Sequence, residues 1–175
     1  LREIFGIEDF EVVEAESLHQ GTLDIQKTGK EFDCRYANFV SGIRTRKEYL
    51  DALEACMENV KRPALVHVIA FEDLPIREEI GNYGIRNIMP KEELLRLQSD
   101  DKDGKLVSMF KNGMIEILFT TKCNRGVDFP GNVCNSVVFT KYPNPNVRSI
   151  FWKLLKRTYP TYYWDFYFDK ARREF

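Results

Sequence analysis

Thr120, Thr121, Lys122, Asn124, Arg125 and Asp128 crowd around Gly126, and together they hold the donors and the acceptor a phosphorylated ligand needs. Hydroxyl, ammonium and guanidinium groups suit phosphate oxygens. Gly126, without a Cβ, lets the backbone approach a ligand closely. Asp128, an acceptor only when ionised, suits a sugar hydroxyl or a cationic partner. A local reading competes with this one: a strand-to-loop turn in which Asp128 caps neighbouring backbone amides. The element that must position the group lies just upstream. Ile115, Ile117, Leu118 and Phe119 are nearly continuous in apolar character, as in a strand covered on both faces of a parallel sheet. The loop then leaves the strand's carboxyl end, where ligands bind in open α/β sheets.

The same residues carry a resemblance. Thr120, Arg125, Gly126 and Asp128, in the pattern T-x4-R-G-x-D-x-P, resemble motif V of the superfamily 2 helicases, a signature of their second RecA-like domain. Residues 106–113 resemble the helix that precedes motif V, residues 63–71 the motif IV strand, and residues 136–141 the strand that follows. Residues 142–146 resemble the proline-rich loop of the XPD/DinG branch. Arg125 stands where that branch usually carries glutamate and where the DEAD-box branch carries arginine.

The resemblance implies an α/β, RecA-like (P-loop NTPase-type) three-layer sandwich with a mainly parallel sheet, working within an ATP-dependent helicase or translocase. It also implies a nucleotide held with Mg2+ between two RecA-like domains, and single-stranded DNA as substrate, with RNA as the alternative. By the same resemblance Gly126 and Asp128 face the nucleotide, Asp128 at the ribose. Arg125 couples the loop to the acid pair of the first domain and is the catalytic candidate. Thr120, Thr121 and Lys122 lie toward the nucleic-acid backbone.

Two motifs are missing. GxxxxGK[ST], the phosphate cradle of such ATPases, does not occur in the chain. ATP and Mg2+ would therefore be bound mainly by the preceding domain, and the chain alone should not hydrolyse ATP. Motif VI, a glutamine followed by Gly-Arg and a further arginine, is also missing; in the XPD/DinG branch it comes well after motif V. Glu72-Asp73 superficially resembles the magnesium-binding pair of a Walker B strand, but with no P-loop it reads as an acid pair at a helix start.

Composition narrows the partners. The formal charge of -1 gives no whole-molecule field for nucleic acid, so such a partner must be held by a local patch. The length suits one domain with appendages, burying roughly 70% of its unfolded surface. No apolar run reaches the ~20 residues of a membrane span and no signal-peptide pattern opens the chain, which points to a cytoplasmic address. Cys34, Cys56, Cys123 and Cys134 lack metal-ligand spacing, including that of the iron–sulfur cluster of XPD-like helicases, so no metal site is expected. His67, inside an apolar strand, reads as a hydrogen-bonded core histidine; His19 is far from it in sequence.

The pattern divides the chain into an entry segment at 1–44, a core at 45–146 and a C-terminal helical appendage at 147–175. The entry segment opens like the tail of a helix at residues 1–6 and continues in extended stretches at 10–13 and 32–36. Thr45 and Glu48 form a capping box ahead of Leu50, Leu53, Met57 and Val60, which recur at helical spacing. A strand at 64–69 follows, then an acidic turn and a helix. A short strand is expected at 86–89, helices at 91–97 and 105–111, and a solvated charged loop at 99–104. This alternation implies parallel βαβ units. The appendage mixes Phe151, Trp152, Tyr159, Tyr162, Tyr163, Trp164, Phe166, Tyr167 and Phe168 with Arg148, Lys153, Lys156, Arg157, Lys170, Arg172 and Arg173, of which the first four are the candidates for nucleic-acid contact. Stacked bases and neutralised phosphates would use that mixture. The competing reading, preferred for most of the rings, packs the aromatics onto the sheet and turns the cations to solvent.

Overall fold

The computed structural model describes residues 6–11, 13, 29, 31–123 and 126–174. His19, most of the expected helix tail at 1–6 and part of the stretch at 10–13 lie outside them. The helices are α1 (Tyr36–Val40), α2 (Arg46–Asn59), α3 (Arg77–Tyr83), α4 (Lys91–Asp100), α5 (Lys105–Lys111), α6 (Ile150–Thr158) and α7 (Pro160–Glu174). The strands are β1 (Ala64–His67), β2 (Ile117–Thr120) and β3 (Ser136–Phe139), and short 3-10 turns occupy Phe71–Asp73 and Gly131–Val133. The chain divides into two compact units, one built on Phe32–Pro145 and the other carrying Asn146–Tyr167.

The larger unit is α/β. Its three strands run parallel in the order β2-β1-β3, with Leu65 opposite Leu118 and Val137. Side chains alternate across the sheet, as the strand period of two requires. Val66, Phe119 and Val138 join Leu50, Leu53, Met57 and Leu94 on one face. Leu65 and Leu118 meet Phe110 and Cys123 on the other. Coverage of both faces explains why β1 and most of β2 are apolar without alternation. His67 is buried in β1, and its ring stacks on Phe139 with centroids 4.9 Å apart. Among the described residues the imidazole has this packing contact and no hydrogen-bond partner of the kind expected, and burial lowers its pKa so that it favours the neutral form.

Local chemistry sets the element ends. The Thr45 side chain accepts from the Glu48 amide while the Glu48 carboxylate accepts from the Thr45 amide, the reciprocal cap expected for α2. Thr45→Ala should cost about 1 kcal/mol, read as a lower urea midpoint at unchanged m-value. Three expectations are corrected. The extended stretch at 32–36 ends one residue early: Arg35 is still extended, but α1 begins at Tyr36. Residues 86–89 form no strand: the amides of Arg86 and Asn87 donate to the Glu54 carboxylate, which takes the place of a neighbouring strand. The charged loop at 99–104 is shorter than expected, since α4 runs on to Asp100; Asp101 then caps α5 by accepting from the Lys105 and Leu106 amides.

In the smaller unit, Trp152 and Leu155 of α6 pack on Tyr163 and Tyr167 of α7. Those rings pack on one another, in edge-on contacts such as Trp152 with Tyr163 at 6.0 Å and Trp152 with Tyr167 at 5.2 Å. The helical appendage thus has an aromatic core of its own.

Candidate functional site

The loop that leaves β2 separates its anchors from its chemistry. Cys123 is buried, and Val127 and Phe129 pack against the same cluster. The Phe129 ring stands edge-on to Phe110 at 5.3 Å, with the Lys111 ammonium 5.5 Å from its centroid. Interleaved with these anchors, Lys122, Gly126 and Asp128 are exposed. Gly126 has a φ of +73° with open space where a Cβ would stand, so its backbone takes a conformation that favours glycine. The Asp128 carboxylate has no hydrogen-bond or ion-pair partner among the described residues, and the capping role considered for it is not seen. Asn124 and Arg125, the catalytic candidate, lie outside the described residues.

Thr120 and Thr121 turn inward. Thr120 is buried; its hydroxyl oxygen accepts from the Lys122 amide at 3.0 Å and its carbonyl accepts from the Val68 amide at 2.9 Å. It shapes the turn that presents Lys122. Half-buried Thr121 donates to Gln98 Oε1 at 2.9 Å, tying the loop to α4. Gln98 Nε2 is buried with no hydrogen-bond partner among the described residues.

A second group at the carboxyl edge was missed by sequence reasoning. Asp73, buried to 7% exposure, accepts through Oδ2 from the Ala70 amide at 2.9 Å and the Thr140 hydroxyl at 2.8 Å, and through Oδ1 from Lys141 Nζ at 2.7 Å. The expected helix-start pair is therefore corrected. The Phe71–Asp73 segment is a 3-10 turn, α3 starts only at Arg77, and Asp73 ties the end of β1 to the end of β3. Glu72 alone faces outward, where Lys91 Nζ approaches to 3.1 Å. The Tyr49 hydroxyl donates to the Thr140 carbonyl at 3.0 Å, and burial with the nearby Asp73 charge pushes its pKa up. Cys34 is held protonated for the same two reasons, burial first. Arg46 closes the group from outside, donating to the Leu74 carbonyl at 2.7 Å and pairing with Glu79 at 3.0 Å. One signal in the sequence marks this cluster: Thr140 and Lys141 follow an apolar strand just as Thr120, Thr121 and Lys122 do.

In the smaller unit Arg148, Lys153, Lys156 and Arg157 are all exposed. Lys156 and Arg157 occupy the last turn of α6, where cations also favour the helix dipole. Among the described residues no helix is long and apolar enough to cross a membrane. No family profile, curated protein or solved structure matches the chain.

Proposed function

We propose that the chain is the second RecA-like domain of a superfamily 2 helicase of the XPD/DinG type, completing an ATP site with the preceding RecA-like domain of the same polypeptide and binding single-stranded DNA. One observation carries the reading: the T-x4-R-G-x-D-x-P loop leaves the carboxyl end of a strand in an all-parallel sheet with Lys122, Gly126 and Asp128 turned to solvent. An exposed carboxylate beside an open glycine turn fits ribose hydroxyls, and Lys122 fits a phosphate. The sequence holds no GxxxxGK[ST] phosphate cradle, so in this reading the phosphates and Mg2+ fall to the preceding domain. When bound, ATP supplies the hydrolysis that opens and closes the cleft between such domains. The cationic α6, independent of any nucleotide, favours a second reading, a nucleic-acid-binding module without ATPase activity. Arginine at position 125 keeps an RNA substrate of the DEAD-box kind within the proposal.

Asp128→Ala discriminates. Because the side chain is exposed and has no partner among the described residues, stability should stay within about 0.5 kcal/mol of wild type in urea. In the polypeptide carrying both RecA-like halves, loss of a charged hydrogen bond worth about 1.5–3 kcal/mol should weaken nucleotide binding or nucleic-acid-stimulated ATPase roughly ten- to hundredfold. A variant that loses stability yet keeps normal specific activity makes Asp128 structural and removes the motif V reading.

A further inference from the structure

No Asp or Glu occurs between Asp128 and Asp165, whereas Lys141, Arg148, Lys153, Lys156 and Arg157 all fall in that interval. In a chain with a formal charge of -1, this is a long acid-free and cationic stretch, and α6 contributes its exposed Lys153, Lys156 and Arg157 to it. Opposite this helix, α7 buries Tyr163 and Tyr167, one turn apart, and leaves Trp164 beside them 51% exposed. Phe151 and Leu154 of α6 are also exposed, at 47% and 61%, but Trp164 is the exposed ring with a lysine ammonium set over it, whereas Trp152 in the same cluster is only 7% exposed.

Trp164 also packs against its neighbours. Its ring stands edge-on to Tyr163 at 5.0 Å and to Tyr167 at 5.9 Å. The Lys156 ammonium lies 5.6 Å from the Trp164 centroid and 5.6 Å from that of Tyr163. The acids of α7, Asp165 and Asp169, form a row of their own one residue further round the helix, and Asp169 is engaged by Arg173 at 2.8 Å. A half-exposed indole on α7 beside a lysine of the acid-free, basic α6 supplies the two components that single-stranded nucleic acid requires: a π-system for a base and a charge for the adjoining phosphate.

We propose that Trp164 is a stacking platform for one base of a single-stranded nucleic acid, with Lys156 neutralising the neighbouring phosphate. The proposal rests on the nucleic-acid-binding reading and adds the recognition element. Stacking needs no hydrogen-bond pattern, so the platform accepts any base.

The test crosses removal of the ring with removal of the base. The full chain, its Trp164→Ala variant and its Trp164→Phe variant are titrated with a fluorescein-labelled oligothymidylate and with an abasic deoxyribose-phosphate oligomer of equal length. Trp164→Ala should weaken oligothymidylate binding about tenfold and leave binding to the abasic oligomer unchanged, with the same salt slope, since no charge is lost. Trp164→Phe should recover most of the affinity while abolishing the quench of tryptophan fluorescence on binding, because the remaining Trp152 is buried.

Equal losses on both oligomers would make the ring structural and overturn the platform, as would a quench that persists in Trp164→Phe. Tight wild-type binding that is indifferent to Trp164→Ala overturns the platform but leaves the nucleic-acid reading standing. A wild-type chain that ignores both oligomers overturns both, and one quenched only by anionic phospholipid vesicles assigns the face to a membrane surface instead.

Discussion

Asp73→Ala should lower stability by about 3 kcal/mol, the size expected when one partner of a buried charge pair is removed and the other is left behind. Three donors converge on that carboxylate: the Ala70 amide, the Thr140 hydroxyl and Lys141 Nζ. The first two are part-buried or buried, so truncation strands donors with poor access to water. The Lys141 side chain is 35% exposed, which places the estimate at the lower end of the range for buried pairs. Lys141→Met is the informative contrast. It leaves Asp73 with two hydrogen bonds and should cost less, about 1–2 kcal/mol. Urea unfolding of both variants checks this. An Asp73→Ala midpoint indistinguishable from wild type would mean that the link between β1 and β3 carries no stability.

That link also shows where sequence reasoning stops. Local rules located the elements well: the Thr45–Glu48 cap, the Leu50, Leu53 and Met57 row of α2, the span of α5 and the apolar strands were all visible in spacing and residue type. The rules also placed Lys122, Gly126 and Asp128 on a loop at a strand's carboxyl end. They failed where a side chain acts on backbone far away in sequence. Glu72 and Asp73 are adjacent acids of equal appearance, yet one faces solvent and the other is buried because Thr140, 67 positions on, offers it a hydroxyl. Glu54 likewise takes the amides of Arg86 and Asn87 from 32 and 33 positions away, and so removes an expected strand. Nor could residue type distinguish the hydroxyls of Thr120 and Thr121, which face inward, from the ammonium of Lys122, which faces out. In the proposed reading a phosphate at this edge would meet Lys122 first, since Thr120 and Thr121 engage their hydroxyls in the turn and with Gln98.

The strongest solution signature should be electrostatic, because a chain with a formal charge of -1 can hold a polyanion only through local cations. Lys153, Lys156 and Arg157 are exposed on α6, and Ser149, whose hydroxyl accepts from the Trp152 amide, caps the start of that helix. Truncating their solvent-facing ends leaves the aromatic core of Trp152, Leu155, Tyr163 and Tyr167 in place, so the fold should survive. If each cation neutralises one phosphate of a single strand, the triple alanine variant should flatten the slope of log K against log salt by roughly 2, about 0.7 for each counterion no longer released. The same release corresponds to an affinity loss of roughly a hundredfold near ~0.1 M salt. Lys122→Ala, in the other unit, should remove about 0.7 from the slope by itself. Anisotropy titrations of a labelled oligothymidylate at several salt concentrations measure both quantities. A triple variant with the wild-type slope would take α6 off the binding surface, and a normal slope in Lys122→Ala would do the same for the loop after β2.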